Sequence, residues 1–230
     1  MTMITIDTGD GKMNAYVVTP PGGTGPALVV IQEIFGVNQV MRDLTDGFAA
    51  QGFVAICPDL FWRIEPGIDI TDQTKAEWDR AFQLFQAFDV EKGVNDIAHT
   101  IVAARRQSGS TGKVGAVGYC LGGKLAYLTA TRTDIDVAVG YYGVGLDELL
   151  GEAASIRKPL MLHIPNKDGF VPPAAQRKVH DVLDSAPLVT LHDYPNDDHA
   201  FARRGGQHYN EPSADQANAR TLAFFKQHLA

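Results

Sequence analysis

The sequence predicts an α/β protein with a mostly parallel central sheet and helices on both faces. Three observations carry that expectation. Short, continuous apolar runs such as ALVVIQ at residues 27–32 recur along the chain, and an apolar run without polar alternation suits a strand buried on both faces. Segments of helical periodicity lie between these runs, and alternating strand and helix build parallel sheets. The 230 residues are 45% hydrophobic, without an internal repeat or low-complexity linker. A single domain over residues 1–230 is therefore expected.

The elements follow in order. Residues 3–7 and 14–19 read as a hairpin turned by Gly9-Asp10-Gly11. The glycine/proline stretch at 19–26 joins two early strands and separates no domains. After the strand at 27–32, residues 40–51 place Val40, Met41, Leu44 and Phe48 at helical spacing, and Gly52 is suited to end that helix. Residues 53–56 are the next buried strand, followed by Pro58 and a polar loop to about Asp72. Two helices are predicted at 74–88 and 90–107, the second with Val94, Ile97, Ile101 and Val102 on one face. A strand at 113–117 leads into a helix at 120–131. Further strands fall at 135–141, 159–164 and 188–194, and further helices at 173–183 and 214–229.

Composition excludes several classes of function. A net charge of -7 argues against a nucleic-acid or anionic-membrane surface, which needs a basic patch. No apolar run approaches the roughly 18 residues of a membrane span. The opening MTMITIDTGDGK lacks the basic start and apolar centre of a signal peptide. Two cysteines, Cys57 and Cys120, make no disulfide framework, so a reducing cytoplasm is the expected setting. The chain is expected to act as a monomer, without membrane or nucleic-acid partners.

In open α/β sheets, sites form at the carboxyl ends of strands. At one such end stands Gly118-Tyr119-Cys120-Leu121-Gly122-Gly123. It has the strand–turn–helix frame that exposes a nucleophilic serine in G-x-S-x-G, with cysteine at the centre. The helix N-terminus favours an anion, and so a thiolate. Cys120 is the nucleophile candidate; Cys57, before Pro58, reads as a core residue.

An activated nucleophile needs a base, and the base an orienting acid. In this frame the chain order is nucleophile, acid, histidine. Of seven histidines, His99 and His180 fall in helices, His163 and His192 in strands, and His228 near the terminus. His199, in the loop YPNDDHAF after the strand at 188–194, is the base, with His208 next in rank. Asp168, in PNKDGF after the strand at 159–164, is the acid. Asp197 and Asp198 read as a solvated turn. His192, Asp193, Asp197, Asp198, His199 and His208 cluster in sequence, but their spacing matches no metal-ligand frame.

Acyl transfer also needs donors for a developing oxyanion. The amides of Leu121, after the nucleophile, and of Ile34, after an early strand, are the candidates. Glu33 beside Ile34 reads either as a solvent-facing acid or as a carboxylate that restrains the thiol by like-charge repulsion. Arg203 reads either as a surface residue or as an anchor for a substrate carboxylate or for Glu33.

With Glu33-Ile34-Phe35-Gly36-Val37-Asn38, the GYCLGG turn, Asp168 and His199-Ala200-Phe201-Ala202-Arg203, the chain resembles the dienelactone hydrolase (carboxymethylenebutenolidase) family. Gln86-Ala87-Phe88-Asp89 and residues 139–145, VGYYGVG, extend the likeness over nearly the whole chain. The resemblance implies an α/β-hydrolase fold and a cofactor-free hydrolase of small lactones or esters, with no metal. It implies a Cys120–His199–Asp168 triad, a covalent thioester, and Glu33 holding the resting thiol. Substrate binding would turn Glu33 toward an arginine and free it to help deprotonate Cys120. Ile34 and Leu121 would form the oxyanion hole, and Arg203 would contact a substrate carboxylate. The family's second carboxylate-binding arginine aligns with Trp78, with Arg80 two residues on, and a pocket tyrosine aligns with Phe82. That departure opens the alternative of a broader carboxylesterase or thioesterase on the same triad. A non-catalytic binding protein on the scaffold is a third reading.

Overall fold

The computed structural model describes residues 2–230. Eight strands form a mostly parallel sheet accompanied by helices, which is the α/β architecture expected. By contacts the chain divides into two compact units, one ending at Ala116 and the other beginning at Val117.

In the first unit, β1 (Thr2–Asp7) and β2 (Lys12–Val18) form the antiparallel hairpin, with Asp7 opposite Lys12. Gly9 takes φ 81° in its turn, a conformation a side chain would strain. β2 runs antiparallel to β4 (Val54–Pro58), and β3 (Gly25–Ile31) runs parallel to β4. β5 (Ser110–Tyr119) follows β3 in strand order. Every residue of β4 and all of β3 except Pro26 are buried, as their continuous apolar sequence requires. Cys57 lies in β4, where burial pushes its thiol up to about 12.

Helix α1 (Gln39–Ala50) starts on Asn38, whose side chain accepts the Met41 amide at 3.1 Å. It stops before Gly52 at φ 101°. Helix α2 (Lys75–Ala87) starts on Thr74, whose hydroxyl accepts the Glu77 amide at 3.2 Å and donates to its carboxylate at 2.7 Å. That pair is a T-x-x-E capping pattern. Helix α3 (Val90–Arg106) buries Val94, Ile97, Ile101 and Ala104. Val102 departs from expectation: it is 45% exposed. One residue beyond Ile101 turns 100° around the helix, out of the buried stripe; Ala104 takes its place.

In the second unit, the end of β5 leads into α4 (Leu121–Arg132), β6 (Val137–Tyr141), β7 (Leu160–Pro165), α5 (Pro173–Leu183), β8 (Val189–Tyr194) and α6 (Glu211–Leu229). β6, β7 and β8 are parallel, with Tyr141 opposite His163 and His163 opposite His192. β6 and β7 are wholly buried, whereas β8, last in strand order, is partly exposed along most of its length. An edge strand has one uncovered side, which explains its mixed composition. Helix α6 begins three residues earlier than expected, with Pro212 in its first turn, where a missing N–H costs nothing.

A buried polar network braces this unit. His163 on β7 bonds Tyr194 Oη through Nδ1 at 2.8 Å and Thr221 Oγ1 through Nε2 at 2.9 Å. Tyr141 Oη meets the same Thr221 hydroxyl at 2.7 Å. Full burial holds the His163 pKa well below its usual value, so the ring is neutral. These bonds tie β6, β7 and β8 to α6.

Candidate active site

The turn after β5 is built by its glycines. A Cβ on Gly118 would lie 1.9 Å from the Gly122 carbonyl oxygen, and one on Gly123 would lie 2.4 Å from that of Tyr141. Only glycine lets strand and helix approach so closely. Cys120 sits at the corner with φ 57° and ψ -113°, a strained conformation for a residue with a side chain. Its amide donates to the Tyr141 carbonyl at 3.1 Å, and its own carbonyl accepts the Lys124 amide at 3.2 Å as the first helical bond. Leu121 is the first residue of α4, so its N–H is one of the helix's unshared donors.

His199 and Asp168 come from the loops after β8 and β7. Asp168 Oδ2 accepts from His199 Nδ1 at 2.9 Å, and both side chains are almost fully buried. The other carboxylate oxygen accepts the Phe170 amide at 2.8 Å. A hydrogen bond also joins the His199 and Cys120 side chains. Burial alone would lower the imidazole pKa. The Coulomb interaction with Cys120, followed by the Asp168 and Cys120 hydrogen bonds, outweighs it and raises the value to about 10. The side chains of Cys120, His199 and Asp168 therefore meet.

The surroundings include residues that sequence reasoning passed over. Asp198 is 38% exposed at its side chain, but it does more than meet water: its Oδ1 accepts the amides of Gly169 at 2.9 Å and His199 at 2.6 Å. One carboxylate thus staples the acid's loop to the base's loop. Those amides contribute to holding its pKa below the usual carboxylate range, against a burial effect that raises it. Asp197 is also engaged, accepting from Ser213 at 2.7 Å and Asn210 at 2.5 Å. His208 Nδ1 is 3.2 Å from the His199 carbonyl oxygen, so it supports the backbone of the base. Two rings pack edge-on against the imidazole, Tyr142 at 5.1 Å and Phe170 at 4.8 Å between centroids.

The sequence-clustered group divides: His192 stacks on His163 at 5.7 Å and Asp193 meets His180 and Asn166, whereas Asp198, His199 and His208 stay together, with His208 Nδ1 3.5 Å from Asp198 Oδ2. Arg203 is buried, not a surface residue. In the first unit, Glu33 is likewise only 2% exposed, which rules out the solvent-facing reading, and Ile34 is buried beside it. Trp78 stacks on Phe82 at 5.6 Å and meets the edge of Phe35 at 5.1 Å. Arg80 is ion-paired with Glu65.

A mostly parallel sheet with a glycine-flanked turn at Cys120, and with Asp168 and His199 in the loops after later strands, has the form of the α/β-hydrolase class. The family profile of the dienelactone hydrolases matches residues 13–229, and the chain belongs to that family of hydrolases. It is 55% identical over its full length to a provisionally named carboxymethylenebutenolidase of Azospirillum brasilense, the whole of which is covered. It is 41% identical to the carboxymethylenebutenolidase of Pseudomonas putida, covering 96% of this chain and 94% of that one. A crystal structure of a provisionally assigned dienelactone hydrolase from Klebsiella pneumoniae superposes with a TM-score of 0.86 at 27% identity, over 98% of each chain. Among the described residues, no helix is long and apolar enough to cross a membrane.

Proposed function

We propose that the chain hydrolyses lactone or ester bonds through a Cys120–His199–Asp168 triad and a covalent thioester, with carboxymethylenebutenolide-type lactones as its substrates. The observation that carries this reading is the hydrogen-bonded line from Asp168 through His199 to Cys120 at one corner of the fold.

The chemistry follows from that line. His199 Nε2 takes the thiol proton as Cys120 Sγ attacks the carbonyl carbon, forming a C–S bond and placing negative charge on the carbonyl oxygen. The Leu121 N–H, with that of Ile34 as its proposed companion, receives this charge; a single such donor is typically worth about 10²–10³ in rate. As the tetrahedral species collapses, the ring C–O or ester C–O bond breaks. His199 gives its Nε2 proton to the leaving oxygen, since Nδ1 is committed to Asp168. Water then attacks the thioester, His199 takes its proton, and the acid product and free Cys120 are released. No cofactor or metal enters this cycle.

The remaining roles follow the family pattern. Glu33 restrains the resting thiol and Arg203 holds a substrate carboxylate, while Arg80, Trp78 and Phe82 depart from that pattern and line the substrate site in place of the family's arginine and tyrosine. Arg203's burial supports a role beyond surface solvation. A second reading, a broader carboxylesterase, draws support from the Trp78–Phe82 stack, an apolar surface where a carboxylate-binding arginine is absent. The chain is read as a cytoplasmic monomer.

The central test is Cys120→Ala. A folded variant should lose at least ~10³ of kcat on an activated ester, and mass spectrometry of the wild type with a slow ester should find the acyl group on Cys120. Full turnover in the variant would sink the proposal. A preference for anionic dienelactones over neutral aryl esters selects the lactonase reading over the esterase.

A further inference from the structure

Phe170 is an anomaly in the second unit. It is a large apolar side chain, 46% exposed, on a backbone that is fixed at every step. Gly169 N–H is held by Asp198, Phe170 N–H by Asp168 Oδ1, and Val171 N–H by the Asp168 carbonyl at 3.3 Å. The turn therefore presents the ring in one place. Its inner edge packs on the His199 imidazole at 4.8 Å between centroids and 73° between planes. Tyr142, the other ring against His199, is buried. Of the two, Phe170 alone offers a face to an incoming molecule.

Which part of a substrate meets that face follows from the reaction proposed above, on which this inference rests. The acyl half is bonded to Cys120 Sγ. The alkoxy oxygen must lie within hydrogen-bond reach of His199 Nε2 when it takes the proton. The group attached to that oxygen is thus the part of the substrate carried next to the imidazole and its exposed aromatic neighbour. We propose that Phe170 is the leaving-group contact of this site, selecting esters and lactones whose alcohol or enol half is flat and apolar. Flat, unsaturated groups stack or meet edge-to-face with a phenyl ring, whereas a flexible, hydrated ether chain gains little there.

Exposure of a single phenylalanine is common and can mean nothing more than cover for the base. The two roles separate by experiment. Benzyl acetate and 2-methoxyethyl acetate yield the same acetyl-enzyme and release alkoxides of similar basicity, so their ratio of kcat/KM reads the alcohol half alone. Phe170→Ala should lower the benzyl to methoxyethyl ratio about tenfold, the scale of a lost apolar and aromatic contact. Phe170→Leu should lower it less, and Phe170→Trp should keep it. If Phe170→Ala folds poorly, the Leu and Trp variants carry the same comparison. Benzyl alcohol added to the wild type should also compete with water for the acetyl-enzyme, and less so in the Leu variant.

Equal losses for both esters, with an unchanged ratio and unchanged partitioning, would overturn the inference and leave Phe170 as cover for His199. Failure of the underlying mechanism looks different: no acetyl group on Cys120 in the wild type, whatever the ester.

Discussion

Asp168 and His199 are joined by a 2.9 Å bond between Oδ2 and Nδ1, with both side chains buried and the second Asp168 oxygen occupied by the Phe170 amide. The bond commits Nδ1 to Asp168, so under the proposed mechanism Nε2 is the nitrogen that handles protons for Cys120. Asp168→Asn has one acceptor oxygen for the two partners: kept on the Phe170 amide it turns an NH2 donor toward Nδ1, and kept on Nδ1 it leaves the Phe170 amide facing a donor. Its kcat should fall by about 10³–10⁴, as when a triad acid is neutralised, with little change in KM. Steady-state kinetics and a thermal melt check both halves; a drop of less than tenfold would remove Asp168 from the triad.

Because the His199 pKa is raised from 6.5 to about 10, folding and pH are linked. The folded state binds this proton more tightly than the unfolded chain. The contribution to stability is complete below pH 6.5 and is lost as pH rises from there through about 10. Urea midpoints should decline across that window, and His199→Gln should flatten the decline. Cys120→Ala removes the largest of the raising effects, so its loss should come at lower pH. NMR titration of the imidazole reads the same order; an unshifted His199 in the wild type contradicts it.

Asp198 ties the base's loop to the acid's loop with two charge-assisted bonds. Asp198→Ala should cost about 2 kcal/mol of stability, one to two bonds to a partly exposed carboxylate. It should also slow kcat by about 10²-fold, because small misplacements of base against acid are expensive in rate. Asp198→Asn keeps an acceptor oxygen and should recover much of both. If the Ala variant melts earlier while kcat holds, Asp198 supports the fold without positioning the triad.

The legible part of this site was the part written in local backbone demands. Gly118, Gly122 and Gly123 mark a turn only glycine can make, and that turn alone singles out Cys120. Strand order and chain order then pick Asp168 from its loop and His199 from seven histidines. Asp198 and Phe170 were not legible, because the direction of a loop side chain is set by which amides and rings the fold brings to it. Two adjacent aspartates in a polar loop have the same local signature whether they face water or amides. The same limit shows in Val102, which is apolar and helical but one step off the buried stripe. It shows also in β8, whose exposure depends on its being last in the sheet. Thr74-Lys75-Ala76-Glu77 is different: its capping partners lie within one turn of each other, so the cap at the start of α2 depends on local sequence alone.

The two cysteines should behave as opposites toward an alkylating reagent. Cys57 lies within β4, fully buried, its thiol pushed up to about 12 by desolvation. At neutral pH almost none of it is thiolate, and a reagent cannot reach it without unfolding. Cys120 is 8% exposed, stands at the N-terminus of α4 and is hydrogen-bonded to His199, so a small reagent can reach it in the folded protein. Iodoacetamide on the folded protein should give one adduct, at Cys120, with activity lost in step with labelling. In urea both cysteines should react. Peptide mapping separates the sites, and labelling of Cys57 at a comparable rate in the native state would mean that β4 opens far more readily than its complete burial implies.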